Sequence, residues 1–160
     1  MIKQWLALTI VMTSMSAAEA APQCDAKQVR VSVDDGQGRF DGMSHSGMLL
    51  KVTNEGNSAC ALPARPGVDF QDARHRSLRL SPSPTPGPTI RPVILSPRAS
   101  ATSEMRWVSG DVYDPSVCVT PAYVALRLDG GDVAASFKGR ICGPRDKGAT
   151  YRAEPFVLSR

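Results

Sequence analysis

Apolar residues recur at every second position through most of this chain, and that periodicity commits it to sheet rather than helix. Val29, Val31 and Val33 alternate with Arg30 and Ser32, and Met48, Leu50 and Val52 alternate with Leu49, Lys51 and Thr53. Val68 and Phe70 flank Asp69, and Leu78 and Leu80 flank Arg79. The longest run is Ala99, Ala101, Ser103, Met105 and Trp107, set against Ser100, Thr102, Glu104 and Arg106. Val124, Leu126 and Leu128 share one face, and Val133, Ala135 and Phe137 share another. Residues 151–158 read as a last strand, which Pro155 would confine to an edge because proline cannot donate to a ladder. No segment shows a capped helical stripe.

Turn chemistry separates the runs. Asp34-Asp35-Gly36-Gln37-Gly38 follows the first and Asn54-Glu55-Gly56-Asn57 the second. Asp129-Gly130-Gly131-Asp132 reads as a tight hairpin, since glycine supplies the positive φ such turns need. About seven or eight short strands with regular turns predict an all-β chain, an antiparallel β-sandwich of immunoglobulin-like architecture. The Cys–Trp–Cys arrangement of antibody domains is absent, so the expectation concerns architecture alone.

Four cysteines, Cys24, Cys60, Cys118 and Cys142, are too widely spaced for a zinc knuckle and read as two disulfides. Folding the chain back at Gly130-Gly131 sets Cys118 nearly opposite Cys142, and a reflection about Gly42 sets Cys24 opposite Cys60. A disulfide needs Cα atoms within about 7 Å, so of the three connectivities open to four cysteines, Cys24–Cys60 and Cys118–Cys142 is expected.

The N-terminus carries a basic residue, Lys3, an apolar run over 5–12, and the small-x-small site Ala18-Glu19-Ala20. This is the order of an export signal, too short in its apolar part to span a bilayer. Residues 1–20 are therefore expected to be cleaved, leaving 21–160 as a single β domain, periplasmic or secreted, with no transmembrane helix. Ala21-Pro22-Gln23 does not suit a lipid attachment at Cys24. The net charge of +4 is scattered and aromatic residues are few, which argues against nucleic acid as a partner. Ser81 to Pro92 is a proline-alternating stretch, read as a stiff loop crossing between sheets.

Several motifs fall in a familiar order. Cys24 opens the domain, and Gly42-Met-Ser-His-Ser-Gly47 leads into a strand over 48–54 that ends in Asn54. Cys60-Ala-Leu-Pro-Ala-Arg-Pro-Gly67 follows, then Ile94-Leu-Ser-Pro-Arg-Ala-Ser-Ala101 running to Trp107, then Cys118 and Cys142. From Cys24 to about Phe156 the chain resembles the domain-of-unknown-function 4232 family of bacterial secreted proteins and lipoproteins. It departs from the family pattern at Ala64, where a glycine is usual, and at Ser96-Pro97-Arg98, which replaces the usual Pro-Gly. The resemblance implies a β-sandwich of the cell envelope and a structural His45 that bonds backbone at the strand entry. It implies no activity.

Catalytic chemistry is not expected. A nucleophile, a base and an orienting group must meet within hydrogen-bond reach, and the two histidines, His45 and His75, stand in no such pattern. Asp35, Asp41, Asp69 and Asp72 read mostly as turn residues. No cofactor motif occurs. The one metal-like cluster is Met43, His45 and Met48, whose thioethers and imidazole suit copper(I). Asn54 reads as a turn residue, Trp107 as a core anchor and Arg74-His75-Arg76 as a solvated loop tip. The expected function is a non-enzymatic envelope module that binds an envelope or extracellular protein. The alternatives are a periplasmic copper-binding protein using the Met/His segment and a secreted protease inhibitor presenting the Pro-rich loop.

Overall fold

The computed structural model describes residues 20–85, 87 and 90–159. The expected signal up to residue 19, with Pro86, Pro88 and Thr89 of the Pro-rich loop, lies outside the described residues. The strands are β1 (Val29–Asp34), β2 (His45–Asn54), β3 (Cys60–Leu62), β4 (Val68–Gln71), β5 (Leu80–Pro82), β6 (Val93–Leu95), β7 (Ser100–Val108), β8 (Ser116–Val119), β9 (Tyr123–Leu128), β10 (Gly131–Ser136), β11 (Ile141–Pro144), β12 (Ala149–Ala153) and β13 (Val157–Leu158). Among the described residues there is no α-helix, and no helix long and apolar enough to cross a membrane.

Strand β7 is the axis of the large sheet. The alternation read from sequence is realised along it: Ala101, Ser103, Met105 and Trp107 are buried and the residues between them are half-buried. One edge of β7 pairs antiparallel with β2, from His45 opposite Val108 to Thr53 opposite Ser100. The other edge is shared end to end by β13, β12 and β11. Beyond these, β1 pairs with β2, β8 with β11, and β5 joins β12 in parallel. A second sheet has the order β10-β9-β4, and β3 and β6 form a small ribbon.

The core lies between the large sheet and the three-stranded one, a sandwich-like arrangement. Phe70 of β4 meets Tyr151 of β12 edge-on at 5.1 Å and Phe137 at 5.2 Å. Trp107 of β7 lies 5.3 Å from Phe137. Such tilted contacts bring the positive ring edge onto a negative face. Trp107 is the core anchor expected of it, although its indole N–H finds no partner among the described residues.

Both disulfides have the expected connectivity, with Cα separations of 4.8 Å for Cys24–Cys60 and 4.1 Å for Cys118–Cys142. The arms of the 129–132 hairpin do run on to Cys118 and Cys142, which face each other across β8 and β11. The arms change sheet on the way: β9 and β10 pair in the small sheet, β8 and β11 in the large one. At Cys24–Cys60 the antiparallel β1–β2 ladder does not extend to the cysteines. There Gln23 pairs with Ala61 in parallel, with the Cys24 N–H donating to the Ala61 carbonyl and the Ala61 N–H to Pro22.

Two expectations are corrected. Residues 151–158 are not one edge strand: Pro155 splits them into β12 and β13, both paired to β7, and β12 also carries β5. Asn54 is more than a turn residue. It is fully buried, its amide donates to the carbonyls of Ser58 and Leu95, and its Oδ1 accepts the Gly56 N–H. It thereby fastens the turn after β2 to β6.

The neighbouring turn is the Ser96-Pro97-Arg98 stretch. The Ala99 N–H donates to the Ser96 carbonyl, Pro97 takes the first corner, and Arg98 sits at φ 68°. That is a type II turn, whose third residue needs positive φ.

Two stability predictions follow from this corner. Asn54→Ala strands three buried or half-buried backbone groups and is expected to lower stability by about 3 kcal/mol, read as a fall in urea midpoint at unchanged m-value. Arg98→Gly relieves a left-handed residue worth about 1–2 kcal/mol but adds about 0.4–1 kcal/mol of unfolded-chain entropy. The net expectation is a rise in the midpoint; a fall would show that the Arg98 side chain holds the turn.

Candidate functional site

The site arises from a change of partner. After β4 the chain turns through 72–76 and comes back against β4 for one step, the Leu78 N–H donating to the Phe70 carbonyl and Ser77 bridging to Gln71. At Leu80 it leaves β4 and enters the large sheet, with Leu80 opposite Ala149 of β12. The sheets part there, and a cavity of about 650 Å³ opens between them. Val68, Phe70, Leu80 and Tyr151 supply its apolar walls, and Arg65 and Arg127 stand at its margin. The described part of the Pro-rich stretch, Pro82 to Thr85, closes one side, held by the Ser83 N–H on the Tyr151 carbonyl.

Asp69 is the electrostatic centre of this region. It lies within β4, not in a turn, and is buried on the outer face of the small sheet. It accepts from the Ser77 hydroxyl at 2.6 Å and the Gln71 amide at 3.1 Å, with Arg127 Nη2 at 3.5 Å. Arg65 reaches the carbonyls of Ala153 and Thr85 at 3.3 and 3.4 Å. Burial raises the pKa of the Tyr151 phenol; Arg127 pulls it down and Asp69 pushes it up, which places the phenol in the field of both charges. Two guanidinium groups against one carboxylate leave a positive margin.

The 72–76 tip is less free than a solvated loop. Asp72 accepts the N–H groups of Arg74 and Arg76 and the Arg76 guanidinium. His75, at φ 59°, stacks on Tyr123 with ring centres 4.2 Å apart. Its Nδ1 lies 3.2 Å from Gln71 Oε1. Since the Gln71 amide nitrogen donates to Asp69, the network assigns the proton to His75 Nδ1. Ser77 donates to Asp69, whereas His75 is bonded to Gln71.

The Met43, His45 and Met48 side chains do not converge. Met48 points into the core from β2, while Met43 is fully exposed. His45 is exposed as well, its ring 3.1 Å from the Ser44 hydroxyl. The resemblance implies a His45 that bonds backbone at the strand entry, and at the start of β2 the His45 carbonyl accepts from the Gly42 N–H. Asp111, Cys118 and Cys142 cluster closely, but the disulfide occupies both sulfurs and Arg140 grips Asp111 through two contacts of 2.8 and 2.9 Å.

Arg65, Ser77, Arg127 and Tyr151 carried no signal in the sequence, since each sits on a different strand or loop and meets the others only in the fold. Asp69 carried one: its place between Val68 and Phe70 in a period-two run marked a strand residue.

Residues 24–156 match the model of the family described as domain of unknown function DUF4232. The chain belongs to that family. The match runs from the first cysteine of the DUF4232 domain to Phe156 and so takes in both disulfides and the whole cavity. Neither the curated proteins nor the solved structures hold a match to this DUF4232 chain.

The loop anchor is testable by pH. The backbone N–H of Arg76, then its side chain, lower the Asp72 carboxyl from 3.8 to about 2. A depressed carboxylate contributes its anchoring fully above its unfolded value and loses it as pH falls through the folded one. Titration of the Asp72 carboxyl carbon by NMR is expected to centre near 2, with amide exchange at Arg74 and Arg76 quickening over the same range. A midpoint near 4 would mean that the carboxylate does not hold the tip.

Proposed function

We propose that this chain is an exported, non-catalytic binding module that holds an anionic, partly apolar ligand in the groove between β4 and the β5–β12 pair. The observation that carries the reading is the groove itself: an apolar floor of Phe70, Leu80 and Tyr151 under two arginines and a single carboxylate. Ligand sites combine a mostly apolar lining with a few placed polar groups, and this one has that make-up. Export is supported by two disulfides, which persist in oxidising compartments, and by the signal-like order of residues 1–20. We read the scaffold as an immunoglobulin-like β-sandwich, on the strength of two facing sheets with loops and short strands linking them. The lack of enzymatic activity is supported by the bonding of Ser77 and His75, each tied to a different member of the Asp69 network.

Anilinonaphthalene sulfonate, with fused apolar rings and one negative charge, is a matched probe. Saturable enhancement of its fluorescence at one site is expected for the folded domain. Arg127→Ala, judged folded by near-ultraviolet circular dichroism, should weaken that binding about tenfold, the worth of one charge-assisted contact. Equal binding by both proteins would sink the reading.

A further inference from the structure

We propose that the natural occupant of this groove is an extended peptide segment bearing a carboxylate, which adds as a strand to the free edge of β4. The inference rests on the groove reading above and goes further by naming the class of ligand and its backbone contacts.

Ladder geometry supplies the first support. In an antiparallel pair, residues alternate between those whose N–H and C=O face the partner and those whose groups face away. The Arg127 N–H donates to the Gly67 carbonyl, and Val68 stands opposite Leu126 in register. Gly67, Asp69 and Gln71 therefore present their backbone groups to β9, while Val68 and Phe70 present theirs to the other side. The Phe70 carbonyl meets the Leu78 N–H there. Past that bond the chain departs for β12, so the N–H and C=O of Val68 and the N–H of Phe70 face the groove with no partner among the described residues.

The facing wall does not compete. Leu80 directs its N–H to the Leu78 carbonyl, and Pro82 has none to give. Proline on an edge strand is a device against pairing. The groove thus has one edge open to a new strand and one edge blunted.

Charge indicates what the strand carries. Arg127 keeps most of its side chain in solvent and lies 3.5 Å from Asp69, so its donors are mostly available. Arg65 adds a second guanidinium beside the same opening. A strand laid along β4 would place alternate side chains over Phe70, Leu80 and Tyr151 and the ones between toward the arginines. Main-chain bonds would give affinity and the alternating pockets selectivity, the physics of strand addition.

The test uses the mature, oxidised chain and a capped heptapeptide of alternating valine and threonine with one central aspartate. A second peptide is identical but N-methylated on the face that would meet β4. The first is expected to bind below about 1 mM and to slow amide exchange at Val68 and Phe70 at least tenfold, and the second not to bind. Three outcomes overturn strand addition: no binding of the first peptide, equal binding of both, or binding with unchanged exchange at Val68 and Phe70. If anilinonaphthalene sulfonate still binds in any of these cases, the groove reading stands and only the peptide is wrong; loss of both defeats both.

Discussion

The large sheet of this fold is hung on the two edges of β7. Its ladder with β2 joins residues on either side of the β3–β6 region, and its far edge is filled by three later strands in succession. A strand with both edges paired and alternate residues buried has little freedom to slip, because a shift of one residue would turn Met105 and Trp107 to solvent and draw Glu104 and Arg106 into the core. The position of β12, and through it of β5 and the groove, is set by that register.

The groove exists because one chain segment cannot serve two sheets at once. Residues 77–78 bond to β4, and 80–82 bond to β12. Between those commitments lies Arg79, and beyond it the sheets diverge. The ring of Phe70 faces inward while the backbone of the same strand faces the opening, so the residue that helps seal the core also borders the cavity. Asp69, on the opposite face of β4, holds Ser77 and Gln71 and so keeps the departing segment at a fixed distance.

How much of this was legible in the sequence depended on range. Alternation is local, so β1, β2, β7, β9 and β10 could be read directly from Val29, Met48, Ala101, Val124 and Val133. Hairpin reflection extends that reach to Cys118 and Cys142, because a short turn limits where its arms can go. It could not show that the arms change sheets, nor that Gln23 meets Ala61 in parallel, since neither depends on a neighbouring turn. Asn54 looked like a turn residue because its bond to Gly56 is local, whereas its bond to Leu95 comes from far along the chain. The groove was the least legible element. Arg65, Asp69, Arg127 and Tyr151 belong to separate segments, and no spacing rule relates them.

The disulfides join consecutive cysteines, first with second and third with fourth. Such a connectivity is unknotted in time as well as in space. A chain that meets oxidant from its N-terminus onward closes Cys24 on Cys60 before Cys118 has arrived, so the first bond to form between available thiols is already native. The second pair then finds no free thiol to compete for. Connectivities that interleave require the chain to wait or to reshuffle, and this one requires neither. For a chain that emerged in this way, the order of the cysteines would by itself direct the pairing.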